Sequence, residues 1–220
     1  MSADRSTAGP RVPFDTVHLP RVDLRDTLTT LMRPLPNLPA LVQRGTAFTV
    51  WAIAPSSAMG WTASLQLGAL TLPLTPSGGG WQASKSRWER SFTVPASAPE
   101  EVYSLVLVSD VTAPDRAEHA VKVLPSFRTD YYFAQISDTQ LPTHALSSNG
   151  VIDVADTSGI ADFDAVIEDL NVIYPEFIIH TGDLVNEGEL EEYLGMYEMG
   201  RAQGMLSRLR DPVFVSPGNW

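Results

Sequence analysis

The hydrophobic period of this 220-residue chain changes once, near residues 127–130, and that change constrains the fold more than any other feature. Before it, apolar and β-branched residues come in short runs cut by Pro and Gly, the pattern of strands. After it, a short apolar run gives way to apolar residues spaced three and four apart, the pattern of a helix. Such a chain is not one repeated unit. In the first part, strands are expected at 46–54, 61–67, 91–94, 101–109 and 120–123. Within 101–109, Tyr103, Leu105 and Leu107 share one face, and Val102, Val106 and Val108 share the other. Short strands at this spacing predict an antiparallel β-sandwich over 37–128. Ser77, Gly78, Gly79 and Gly80 read as a turn or loop, and Trp51, Trp61 and Trp88 as packing residues of the core. Residues 1–36, dotted with Pro and Arg, read as an extended N-terminal arm with one short strand at 12–19.

In the second part, 131–137 reads as a strand that ends at Asp138. A polar loop is expected over 139–161. Phe163, Val166, Ile167, Leu170 and Ile173 then mark an amphipathic helix, with Asp162 as its N-cap and Pro175 as its stop. A strand at 177–180 follows. Leu190, Leu194 and Tyr197 suggest a second helix, weakened by Gly195, Gly200 and Gly204, and 213–216 reads as a third strand. The order βαβαβ predicts a parallel sheet with right-handed crossovers. The expected fold class is therefore two-domain: an antiparallel β-sandwich, then an α/β domain over 129–220.

Charge divides at the same place. Residues 1–128 hold 12 Lys/Arg against 10 Asp/Glu, whereas 129–220 hold 3 against 16, and the whole chain carries −11. So acidic a chain does not bind nucleic acid by neutralising phosphates. With no cysteine, disulfide frameworks, thiolate metal sites and cysteine nucleophiles are excluded. No apolar run reaches the roughly 20 residues needed to span a bilayer, so no membrane partner is expected. The first residues lack the apolar core of a signal peptide; the protein is either cytoplasmic or secreted with a leader outside this sequence.

Each strand of the second part ends in an oxygen-bearing side chain: Asp138 with Gln140, then Asp183, then Asn219, separated by 45 and 36 residues. In open α/β sheets, sites form beyond the carboxyl ends of the strands. Oxygen donors converging there suit hard or borderline dications, and a cation would relieve the repulsion of the two carboxylates.

The residues Ser137-Asp138-Thr139-Gln140, Thr181-Gly182-Asp183 and Pro217-Gly218-Asn219 resemble the first three motifs of the calcineurin-like metallophosphoesterase superfamily. The resemblance covers the N-terminal part of that family's catalytic domain, about 129–220, here behind an immunoglobulin-like or fibronectin-like sandwich. It implies two divalent metal ions (Mn, Fe or Zn) and hydrolysis of a phosphomonoester or phosphodiester substrate. It implies that Asp138 ligates one metal, Asp183 bridges both and Asn219 ligates the second, with the ions about 3.5–4 Å apart. Two positions depart from the family pattern. Gln140 stands where the family has a His ligand, and a neutral amide oxygen holds metal less tightly; His144 is a candidate substitute. Trp220 stands where the family has a His that assists the leaving group, and an indole does not transfer a proton at neutral pH, so no catalytic residue is assigned. The family's later His motifs have no counterpart here. An incomplete catalytic domain, inactive alone and lacking its C-terminal half, is the expectation.

Simpler roles compete at several positions. His180, on an apolar strand, reads as a core histidine with satisfied nitrogens. His18 and His119 read as surface residues, and Asn186 to Glu189 as a turn and helix start. Trp51, Trp61, Trp81 and Trp88 read as core or sheet-edge residues, not a sugar platform. No nucleophile elbow, phosphate loop, dinucleotide fingerprint or His-Glu-x-x-His motif occurs. Two alternatives to a phosphoesterase stay open: a non-catalytic fragment or pseudoenzyme, and an extracellular binding module carried by the sandwich.

Overall fold

Prolines decide how the chain enters its first sheets. In the computed structural model, which describes residues 28–141, 145–146, 152–153, 158–185 and 192–218, strand β1 (Leu31–Arg33) and strand β2 (Ala40–Gln43) lie in different sheets. Pro34, Pro36 and Pro39 fall between them, where missing N–H groups break any ladder. The chain therefore crosses from one sheet to the other.

The described residues are mostly β-sheet with few helices. The first sheet has the order β1-β3-β7-β6, with β3 Ala47–Ala52, β6 Thr75–Gln82 and β7 Arg87–Thr93, all neighbours antiparallel. The second has the order β2-β9-β8-β4-β5, with β4 Thr62–Leu67, β5 Leu70–Pro73, β8 Val102–Ser109 and β9 Thr112–Leu124. One apolar cluster draws on both: Leu31, Val50, Ala52 and Phe92 from the first sheet, Val42, Leu65, Leu105, Leu107 and Val121 from the second. Tyr103, Leu105 and Leu107 are fully buried on one face of β8, as the alternation predicts.

Several expectations for this region need correction. The β2–β9 pair is parallel, so the second sheet is mixed and not purely antiparallel; the proline crossover sets that direction. The stretch read as an arm is part of the fold from residue 28: β1 pairs with β3, and one oxygen of buried Asp115 accepts the backbone N–H groups of Thr29, Thr30 and Leu31 at 3.1, 2.7 and 2.7 Å. The glycine run is strand β6, not a turn. Gly79, at φ +84, lies so close to the Glu89 carbonyl that no side chain fits, a close approach that only glycine permits. Trp51 leaves the core to Trp61 and Trp88; its half-exposed ring is held between the guanidinium groups of Arg33 and Arg87, 4.4 and 3.4 Å from its centroid. The expected strand at 120–123 is the end of the longer β9. Pro114 sits in a part of β9 that pairs with β8 but not with β2, so its absent donor costs nothing. His119 is half-buried rather than on the surface, at φ +45 where the β8–β9 register shifts.

The second part builds a separate apolar cluster. Strands β10 (Ala134–Ile136), β13 (Ile178–His180) and β14 (Val213–Val215) form a parallel sheet in that order. Helix α1 (Ser158–Ile173) buries Ile160, Phe163, Ile167 and Leu170, and helix α2 (Glu192–Leu206) buries Ala202 and Met205, against Ile178 and Val213. The helix begins at Ser158, so Asp162 lies in its second turn and is not its N-cap. The expected loop is shorter for that reason and holds a small antiparallel pair, β11 (Ala145–Leu146) and β12 (Ile152–Asp153). Tyr174, at φ +55, closes α1 before Pro175, the left-handed cap position more usual for glycine. Its carbonyl and that of Ile173 accept the Tyr132 hydroxyl at 3.1 and 2.6 Å.

The two cores meet across the outer face of β9. Lys122 points away from Val121 and Val123. Its ammonium lies 5.0 Å from the Tyr174 ring centroid, 3.3 Å from the Tyr174 hydroxyl and 3.5 Å from Asp211 Oδ1. Lys122 and Asp211 are 2% and 3% exposed. No helix among the described residues is long and apolar enough to cross a membrane.

Candidate metal centre

The parallel sheet aligns its strand ends in register: Ile136 stands beside His180, and His180 beside Val215. The chain leaves each strand from the same edge, so the segments bearing Asp138, Asp183 and Gly218 emerge together. Backbone hydrogen bonds then lock the first two loops. The N–H of Asp138 donates to the Gly182 carbonyl (3.2 Å), Gln140 to Asp183 (3.0 Å), Leu141 to Leu184 (3.1 Å), and Thr181 back to Ile136 (3.0 Å). The third strand joins through the Ser216 N–H on the His180 carbonyl, 2.8 Å.

This interlock demands unusual backbone. Asp138, Gln140 and Asp183 have φ of +53, +38 and +52, in the left-handed region that non-glycine residues rarely occupy. Strain of this kind, of order 1–3 kcal/mol per residue, clusters at functional sites. Gly182, at φ +116, and Gly218 are where the second and third strand ends touch. A Cβ on Gly182 would stand 2.6 Å from Gly218 Cα, and one on Gly218 would overlap the Asp183 carboxylate. Asp183 thus lies directly over the third strand end.

His180 sits at the centre, 0% exposed. Its Nδ1 accepts the Gly182 N–H at 3.2 Å, and its Nε2 lies 3.0 Å from Thr139 Oγ1. Burial pushes its pKa below the ordinary imidazole range, against the opposing pull of the Asp138 and Asp183 charges. Both carboxylates therefore act on one neutral ring. Asp138 and Gln140 are exposed, and Asp183 is half-buried. The Ser137 hydroxyl donates to Asp138 Oδ2.

The structure thus brings Asp138, Gln140 and Asp183 to one edge. Asn219, Trp220 and His144 lie outside the described residues. The donors present are carboxylate and amide oxygens, which fit a hard or borderline dication, and two carboxylates beside a neutral imidazole gather charge that a dication would balance. Among the described residues no three His, Cys, Asp or Glu side chains group as a metal site. Sequence reasoning left out Thr139, whose hydroxyl bridges the first two loops; its only signal was its place between Asp138 and Gln140. A cavity of about 410 Å³ lies elsewhere, between the two cores, lined by Val102, His119, Tyr174, Arg208 and Arg210 among others.

Residues 131–220 match the family model of the calcineurin-like phosphoesterases. No curated protein matches the chain. Among solved structures, it is similar to a purple acid phosphatase from yellow lupin (Lupinus luteus) seeds, at 11% identity and a TM-score of 0.34, over 81% of this chain and 34% of that one. It is also similar to an amylomaltase from Corynebacterium glutamicum, at 14% identity and a TM-score of 0.30, over 68% of this chain and 21% of that one. The chain thus spans about a third or less of the length of these two structures.

Proposed function

We propose that residues 131–220 carry the first part of a metal-dependent phosphoesterase site, behind a β-sandwich made by the two N-terminal sheets. The observation that carries this reading is the interlock of the first two strand ends, which sets Asp138 and Asp183 around one buried imidazole within the stretch that matches the family model. Asp138 and Gln140 would hold one ion, Asp183 would bridge two, and Asn219 would hold the second; Mn, Fe and Zn are the candidates. When bound, such ions neutralise phosphoryl charge and supply a nucleophile at neutral pH. The chain's own residues do the positioning. Left-handed backbone at Asp138 and Asp183 aims both carboxylates off the strand ends, and Gly182 and Gly218 leave room for the second and third ends to meet and for the Asp183 carboxylate above Gly218. The substrate class is a phosphate monoester or diester.

The test is turnover of p-nitrophenyl phosphate and bis-p-nitrophenyl phosphate with Mn²⁺, Fe²⁺ or Zn²⁺, beside metal content by mass spectrometry. Metal retained by the chain and lost in Asp183→Asn is expected, with turnover expected only where the family's later His motifs are also supplied. Absence of bound metal, or an unaltered Asp183→Asn, overturns the reading.

A further inference from the structure

His180 uses both ring nitrogens, and the direction of each bond is fixed by its partner. The Gly182 backbone can only donate, so Nδ1 carries no proton. The Thr139 hydroxyl lies 3.0 Å from the Leu184 carbonyl, which can only accept, so its proton goes there. The remaining bond, Nε2 to Thr139 Oγ1, then runs from the ring to the hydroxyl. The chain of donation is Gly182 N–H to Nδ1, Nε2–H to Thr139 Oγ1, and Oγ1–H to the Leu184 carbonyl. Every group in it is used once, and the buried ring is left with no unsatisfied nitrogen.

This chain ties together the residues that flank the two carboxylates. Thr139 adjoins Asp138, and Gly182 and Leu184 adjoin Asp183 on either side. We infer that His180, held as its Nε2–H tautomer by Gly182 and Thr139, is a positioning residue that sets the spacing of Asp138 and Asp183. The inference rests on the metal-centre reading for its consequence but not for its geometry. The ring reaches both loops through one hydroxyl and one backbone amide. Removing that hydroxyl takes away a side-chain tie between the two loops beside Asp138 and leaves only backbone bonds to hold the spacing there. Partners of this outer kind change metal affinity by about 10- to 100-fold when removed.

Two arms test it on the full chain. In metal-free protein, ¹⁵N NMR of the histidine rings reads the tautomer directly. Expected is a neutral His180 with the proton on Nε2, its Nε2 resonance shifted in Thr139→Val, where that N–H loses its acceptor, and unshifted in Thr139→Ser; a charged ring or a proton on Nδ1 overturns the inference. In the second arm, Mn²⁺ titration of Thr139→Val should show about tenfold or greater loss of affinity, restored by Thr139→Ser. Equal affinity in Thr139→Val and the unaltered chain overturns the positioning role while leaving the metal centre standing. No Mn²⁺ binding by the unaltered chain overturns the metal centre and with it the positioning role, and the NMR arm still decides the tautomer.

Discussion

Replacing Asp211 with Asn should stabilise this protein at neutral pH and leave it unchanged in acid. Asp211 is buried between the two cores, with Lys122 at 3.5 Å as its cation and Oδ2 without a hydrogen-bond partner among the described residues. Burial pushes its pKa from 3.8 up to about 6. Lys122 and, more weakly, Arg210 pull it down, and Glu176 pushes it up further. The folded state therefore holds the Asp211 proton to higher pH than the unfolded chain does. Its contribution is fully present below about pH 3.8 and is lost as pH rises through about 6. At roughly 1.4 kcal/mol per pH unit, the loss is about 3 kcal/mol. Asn stands in for the protonated acid and does not titrate. Urea melts of both proteins from pH 4 to pH 7.5 should coincide near pH 4 and diverge to about 3 kcal/mol in favour of Asp211→Asn above pH 6.5. A difference that stays flat across that range refutes the raised pKa. An Asp211→Asn protein that is weaker at pH 7 refutes the prediction by showing that buried Lys122 without its carboxylate costs more than the ionised pair, as removal of one partner from a buried pair often does.

Other substitutions probe other parts of the fold. Asp115→Ala removes the acceptor shared by three backbone N–H groups and should cost about 3 kcal/mol or more by urea denaturation. Gly79→Ala drives a methyl into the Glu89 carbonyl and should cost about 1–3 kcal/mol in the same assay. Gly218→Ala intrudes on the Asp183 carboxylate and should abolish Mn²⁺ binding while the N-terminal sheets keep their near-ultraviolet tryptophan signal, since Trp61 and Trp88 lie in the other core.

Strands with strong alternation were legible in the sequence. The 101–109 run gives β8 with its buried face assigned, and 46–54 gives β3. Helix α1 follows from Phe163, Ile167 and Leu170, though it starts at Ser158, five residues before the first helical position that a cap at Asp162 implies. Glycine misled at 78–80, because a close backbone approach and a turn ask for the same residue. Of the candidate site, the carboxylates were legible as polar residues at strand ends. The interlock was not, because left-handed backbone at Asp138 and Asp183 and amide-to-carbonyl bonds leave no trace in residue type. Lys122 was a signal passed over: a lone cation between Val121 and Val123 reads as solvent-facing until a second core covers it.

The most direct test of the metal centre is Mn²⁺ binding followed by electron paramagnetic resonance, in which bound ion loses the sharp signal of free Mn²⁺. The chain should bind Mn²⁺, and Asp138→Asn and Asp183→Asn should each release it, with Asp183→Asn the more severe. An unaltered chain that leaves all Mn²⁺ free, or an Asp183→Asn variant that binds as the unaltered chain does, would contradict the account.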